Sequence, residues 1–164
     1  MCIRDSTTGV HTTAIGSRAL AANTTGGYNT AVGKEALTAN TTASNNTAVG
    51  YQAGYSSVSN ANVYVGYQAG YSGSTSASSS TMVGFQAGYS NTSAPLNTFM
   101  GESAGANTTG GYNTFIGGSS GNSVTTGTKN TVVGRYSGNQ GGLDIRTLSN
   151  YLVPVSYTHL TLPT

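Results

Sequence analysis

Asn46-Thr47-Ala48-Val49-Gly50-Tyr51-Gln52-Ala53 is one copy of a unit that recurs along the chain as Asn-Thr-x-(Val/Ile/Met)-Gly-x-x-(Ala/Ser). The glycines of successive copies are Gly16, Gly33, Gly50, Gly66, Gly84, Gly101, Gly117 and Gly134, spaced by 17, 17, 16, 18, 17, 16 and 17 residues. Regularity of this kind is the mark of a tandem-repeat architecture. Longer identities support duplication: ANTTGGYNT stands at Ala22–Thr30 and again at Ala106–Thr114, and YQAGYS at Tyr51–Ser56 and Tyr67–Ser72, with FQAGYS at Phe85–Ser90.

The copies align as columns. Before each glycine is an aliphatic residue: Ile15, Val32, Val49, Val65, Val83, Met100, Ile116 and Val133. Three residues after it is a small one: Ala19, Ala36, Ala53, Ala69, Ala87, Ala104, Ser120 and Ser137. Four residues before it, Asn recurs at positions 29, 46, 62, 97, 113 and 130, and Thr follows in most copies. Each apolar burst is short, rich in β-branched residues and bounded by Gly, Asn and Ser, which reads as strand. Two amphipathic helices do not fit into 17 residues. The pattern predicts an all-β fold, a parallel β-solenoid (β-roll or β-helix) of about eight 17-residue coils. Coils would stack ~4.8 Å apart, with a glycine at a corner and Asn side chains stacked as an amide ladder.

Successive strand residues point to opposite sides. With the column Ile15, Val32, Val49, Val65, Val83, Met100, Ile116 and Val133 taken as the coil interior, the preceding residues face outward: Ala14, Ala31, Ala48, Tyr64, Met82, Phe99, Phe115 and Val132. One Val and one Ala per coil is a small return for ordering it, so further burial between chains is expected. On this reading Tyr64, Met82, Phe99, Phe115 and Val132 form the face of a homo-oligomer along the rod axis.

The repeat resembles the head repeats of trimeric autotransporter adhesins of the YadA type. It is closer still to the NTAVGYQAG-type repeats of marine phage tail fibres. The resemblance covers about Thr12–Asn139. It implies a left-handed, trimeric parallel β-roll with each coil stacked on the next, whereas the repeat length itself suits a coil of two or three short strands joined by tight turns. The adhesin repeat is shorter, so the turns here depart from that pattern. Gly142–Asn150 resembles the segment that follows such repeats in phage fibres. The resemblance implies a structural shaft of a tail fibre on the virion, supporting attachment to a host receptor. The alternative is a head repeat of a bacterial cell-surface adhesin that binds host matrix protein or glycan.

The two ends break the pattern. Met1–Ser6 and Pro154–Thr164 resemble translated sequencing-adapter sequence and are set apart. The repeats are placed at 7–141 and the start of a following segment at 142–153. Cys2 and His159 fall in the set-apart ends, and Cys2 is the chain's single cysteine.

The 164 residues are 6% charged with a net charge of +2, and the basic residues are scattered, so nothing suggests a nucleic-acid partner. No run of 18 apolar residues suggests membrane insertion. Glu35, Glu102 and Asp144 lie on different repeats, and His11 is the one histidine outside the tail, so neither a carboxylate pair nor a Ser-His-Asp group is expected. No metal or cofactor is expected, because no ligand cluster or phosphate loop is visible. The reading is therefore of a protein that is not an enzyme.

Two further surfaces merit attention. Tyr51, Tyr55, Tyr67, Tyr71 and Tyr89, with Phe85, form an aromatic cluster that is either packing or a glycan-contact stripe. The Thr column (Thr13, Thr30, Thr47, Thr81, Thr98, Thr114, Thr131) raises ice binding as a third function, although Thr is also simply a good strand residue.

Overall fold

A computed structural model of the chain describes residues 11–72 and 78–154. The set-apart residues 1–6 and 155–164, with Cys2 and His159, lie outside them. Eight three-residue strands carry the repeat: β1 (Thr13–Ile15), β2 (Thr30–Val32), β3 (Thr47–Val49), β4 (Val63–Val65), β5 (Thr81–Val83), β6 (Thr98–Met100), β7 (Thr114–Ile116) and β8 (Thr131–Val133). A short hairpin, β9 (Asn139–Gln140) with β10 (Leu143–Asp144), and a last strand, β11 (Leu152–Pro154), follow. Strands β1 to β8 and then β11 form one parallel sheet, ordered β1-β2-β3-β4-β5-β6-β7-β8-β11. The protein is a β-solenoid of about eight coils, as the periodicity predicts, but each coil carries a single strand where a 17-residue coil has room for two or three. Val32, Val49, Val65 and Val83 are nearest neighbours in register. Nine strands at ~4.8 Å give a rod of roughly 38 Å.

The rest of each coil is turn, stacked as faithfully as the strand. Residues with left-handed φ do this. In the column two after the repeat glycine they are Arg18, Glu35, Gln52, Gln68, Gln86, Ser103 and Ser119, with φ between 51° and 61°. In the column before the Asn they are Tyr28, Asn45, Ala61, Ser79, Leu96, Tyr112 and Lys129. A left-handed residue swings its peptide so that N–H and C=O run along the rod. The Gln52 amide thus donates to the Lys34 carbonyl at 2.9 Å and the Gln68 amide to the Tyr51 carbonyl at 2.9 Å. Backbone hydrogen bonding therefore continues through corners where no strand exists.

The repeat glycines occupy a different region, with φ from 131° to 139° in the seven from Gly16 to Gly117, which side chains rarely adopt. They also touch one another. A Cβ on Gly66 would overlap the carbonyl oxygen of Gly84, and one on Gly84 that of Gly101. Conformation and close approach therefore both require glycine in this column.

The interior is the reverse of the expected one. The middle residue of each strand points inward: Ala14, Ala31, Ala48, Tyr64, Met82, Phe99, Phe115 and Val132 are all buried. The aliphatic column points out, with Ile15 44%, Met100 43% and Val49 39% exposed; Ile116 and Val133 are exposed and Val32, Val65 and Val83 half-buried. The column assigned to the core is therefore a surface stripe. Tyr64, Met82, Phe99, Phe115 and Val132, assigned to an oligomer face, are the core of the single chain. Phe99 and Phe115 stack inside it at 5.2 Å between centroids.

The physical reason is volume. The residue four after the repeat glycine faces the strand's middle residue across the coil. It is Leu20 and Leu37 where that residue is Ala14 and Ala31. It is Gly70, Gly88, Gly105 and Gly121 where that residue is Tyr64, Met82, Phe99 and Phe115, and a Cβ at each of these glycines would collide with the large side chain. At Gly54, opposite Ala48, the space is taken by Leu37 and the Tyr64 ring from the next coil. Leu20 and Leu37 adopt φ of 50° and the four glycines 58° to 61°, so the backbone accepts either size. Interiors require this constancy of filled volume. Gly88→Leu alone is expected to overpack against Met82 by about 1–3 kcal/mol, and Met82→Ala alone to lose about 2–5 kcal/mol. The double variant should recover more than half of the summed loss, a coupling that thermal melts of all four proteins would reveal.

The Asn column is buried and forms a ladder, though not one of amide on amide. Each side-chain oxygen accepts from the backbone N–H of the equivalent residue in the next coil. Asn46 N–H donates to Asn29 Oδ1 at 2.9 Å, Asn62 N–H to Asn46 Oδ1 at 2.9 Å, and Asn113 N–H to Asn97 Oδ1 at 2.8 Å. Ser80 takes the same part with its hydroxyl, accepting from Asn97 N–H at 3.2 Å. Five of the six amide nitrogens reach turn carbonyls, as where Asn113 Nδ2 donates to Gly110 at 3.0 Å and Gly127 at 2.9 Å, and Asn46 Nδ2 is buried without a partner. The strand begins one residue later, so the ladder supplies a partner to the amide where sheet pairing starts.

Residues 142–154 continue the stack. Leu152, Val153 and Pro154 pair with Thr131, Val132 and Val133, and Tyr151 N–H donates to Asn130 Oδ1 at 2.9 Å across 21 residues. The extra length of this coil is the β9–β10 hairpin, which turns at Gly141 and Gly142 with positive φ. Ile145 then returns to the core.

Candidate functional site

The rod has two repeating surfaces on which function can rest. The first is the outer side of the sheet. Every strand presents its first and third residues there, giving a Thr column (Thr13, Thr30, Thr47, Thr81, Thr98, Thr114, Thr131, interrupted by Val63) beside the aliphatic column from Ile15 to Val133. No charged side chain enters either column. The Thr residues are half-buried, except the exposed Thr13.

The second surface is the corner built by the YQAGYS copies. The aromatic residues resolve into two ladders. Tyr51 stacks on Tyr67 at 5.2 Å and Tyr67 on Phe85 at 5.0 Å. Tyr55 stacks on Tyr71 at 5.1 Å and Tyr71 on Tyr89 at 5.0 Å, with ring planes within 9° and 4°. Lys34 lies over the Tyr51 ring at 5.6 Å. The sequence residue between the ladders, Gln, builds an amide ladder that periodicity alone did not single out. Gln52 Nε2 donates to Glu35 Oε2 at 2.8 Å, Gln68 Nε2 to Gln52 Oε1 at 2.8 Å, and Gln86 Nε2 to Gln68 Oε1 at 3.0 Å. Its signal was the unchanged Gln in three successive copies.

This geometry limits what the aromatics can do. Sugars stack on ring faces, and here the faces cover one another, leaving mainly ring edges toward solvent. The Tyr71 phenol is held above its usual pKa, first by desolvation from its neighbours and then by repulsion from Tyr89, Tyr55, Tyr51 and Glu35.

The polar groups weighed for chemistry are dispersed. Glu35 lies in the amide ladder, with Arg18 at 3.7 Å. Glu102 accepts from Ser103 at 3.3 Å. Asp144 is bound within the hairpin by Arg146 at 2.7 Å, whose hydrogen bonds hold its carboxyl below the usual carboxylate range. His11 stacks on Tyr28. Among the described residues no three of His, Cys, Asp and Glu cluster as metal ligands, and no helix is long and apolar enough to cross a membrane.

One buried titratable group tests the interior. Tyr64 Oη is 3.0 Å from Ser57 Oγ, and burial pushes its pKa up to about 12 from 10.0. The fold favours the neutral phenol. Its contribution is whole below pH 10, the unfolded value, and is lost as pH rises from 10 to about 12. The full loss is about 3 kcal/mol. Urea midpoints across this range should fall more steeply for the parent protein than for Tyr64→Phe. Equal slopes would place the phenol in water.

Fold and repeat together define a β-solenoid of the one-strand-per-coil kind. Compared with protein-family models, curated proteins and solved structures, the chain matches none.

Proposed function

We propose that the chain is a structural shaft segment of a phage tail fibre, a rod that holds a receptor-binding tip away from the virion. It carries no catalytic role in this reading. The observation that carries the proposal is the nine-stranded parallel sheet, in register from β1 to β11, which makes a rod by simple repetition. The resemblance of its Asn-Thr-Ala-Val-Gly units to fibre repeats supports the same role. The shaft assembles as a homotrimer whose seam is the outward aliphatic column, Ile15, Val49, Met100, Ile116 and Val133 among its exposed members. An uncharged apolar stripe of this length is the kind of surface that proteins bury. Sedimentation is expected to give three times the chain mass, and Val133→Asp to lower it while circular dichroism stays unchanged. A monomer at every concentration would end the trimer.

A second reading is favoured by the Thr column beside that stripe. A regular, uncharged Thr and aliphatic array facing outward is also suited to ordering water, and thermal hysteresis at millimolar protein would support ice binding. The cell-surface adhesin with a host glycan or matrix partner shares the rod but needs a ligand site along it. A tail-gene neighbourhood favours the fibre, and a β-barrel anchor on the same gene the adhesin.

A further inference from the structure

We propose that Tyr55, Tyr71 and Tyr89 are a site of oxidative cross-linking, at which a one-electron oxidant joins neighbouring coils of the same chain through carbon–carbon bonds between tyrosine rings. The inference does not depend on the role of the rod.

Among the described residues this ladder stacks three phenols, while Tyr51 and Tyr67 form a single pair that is less nearly parallel, at 20°. The three phenols occupy the same column in successive coils, with centroids 5.1 and 5.0 Å apart and nearly parallel planes. All three are half-buried and so reachable from solvent. The backbone beneath them is pinned coil to coil: Ser56 N–H donates to the Tyr71 carbonyl at 3.0 Å, and Ser72 N–H to the Tyr89 carbonyl at 2.9 Å. Coupling of two phenoxyl radicals is ordinarily a bimolecular event. Here the partner ring is already in place, which makes it effectively unimolecular.

The step balances with a peroxide and a haem peroxidase. Each phenol gives up one electron and one proton. The two radicals bond through ring carbons ortho to oxygen. The hydrogens on those carbons move to the oxygens as the rings regain aromaticity. Hydrogen peroxide takes the two electrons and two protons and leaves as two waters. The product is lighter by two hydrogens per link and ties one coil to the next covalently.

Internal contrasts sharpen the assignment. The neighbouring ladder holds one phenol pair, Tyr51 on Tyr67, and then ends in Phe85, which cannot couple. Tyr28 and Tyr112 are more exposed, at 60% and 55%, yet no other phenol is stacked on either among the described residues. Oxidation governed by exposure would select these two. Oxidation governed by stacking selects the two pairs of the ladder and, beside them, the single pair Tyr51–Tyr67.

The test treats dilute protein with horseradish peroxidase and hydrogen peroxide, then reads dityrosine fluorescence, intact mass and peptide maps. Intrachain links Tyr55–Tyr71 and Tyr71–Tyr89 are expected to dominate. Tyr71→Phe keeps a ring in the stack but removes both links, and should lower intrachain dityrosine about threefold. Tyr89→Phe leaves one pair and should fall between, and Tyr112→Phe should change nothing. Oxidation should raise the melting temperature of the parent protein by more than that of Tyr71→Phe. Undiminished dityrosine in Tyr71→Phe, links mapped to Tyr28 or Tyr112, links only between chains, or no dityrosine at all would each overturn the proposal.

Discussion

Phe99→Asp is expected to abolish the cooperative thermal transition, whereas Val49→Asp should leave a folded chain with native circular dichroism and a cooperative melt. Phe99 is fully buried and stacked on Phe115. Removing a buried Phe side chain costs about 3–5 kcal/mol, and an unpaired carboxylate in its place adds several more. That sum exceeds much of the ~5–15 kcal/mol that holds a domain together. Val49 is 39% exposed on the outer side of the sheet, so its Asp replacement is solvated and loses about 1 kcal/mol of cross-strand contact with Val32 and Val65. Circular dichroism melts decide between the two. If the aliphatic column is the trimer seam, Val49→Asp also lowers the sedimenting mass without lowering secondary structure. A folded Phe99→Asp beside an unfolded Val49→Asp would return the interior to the other face of the sheet.

Gly66→Ala should cost at least about 3 kcal/mol, a large loss for a single methyl group. Its φ of 132° lies where essentially only glycine resides, and its new Cβ would meet the Gly84 carbonyl. Gly84 cannot yield, because its own carbon is packed in the same way against Gly101. Gly118→Ala is the control. Its φ is ordinary, and the nearest atom to an added Cβ is Glu102 Oε2 at 4.0 Å, so it should be neutral or slightly stabilising. Urea unfolding followed by circular dichroism measures both. A Gly66→Ala midpoint equal to the parent's would mean that the coils are not stacked through their glycines.

Much of the fold was legible because parallel in-register stacking writes itself into sequence as columns. The columns Thr13/Thr30/Thr47 and Ile15/Val32/Val49 are true neighbours in space. Which column faced inward was not legible from alternation. A three-residue strand offers two parities, and both put apolar residues inside: Ile and Val in one, Ala, Tyr, Met and Phe in the other. The deciding signal lay in covariation between columns, Leu37 with Ala31 but Gly88 with Met82, and it becomes meaningful once those positions are known to share a space. The Tyr and Gln ladders were visible as repeated letters. Their consequence, ring faces covered by one another, needed the three-dimensional stacking of the coils.

The amino-acid sequence by itself determined the coil length, the register and the place of each strand, because these follow from repetition and from where Gly, Asn and β-branched residues fall. The tertiary structure alone decided the inside and the outside of the coil. That choice depends on how the chain turns between strands, and here it turns through Arg, Glu, Gln, Ser and Tyr residues held at left-handed φ. Such residues adopt that conformation uncommonly, and here neighbouring coils hydrogen-bond it in place, so nothing in a single repeat announces it.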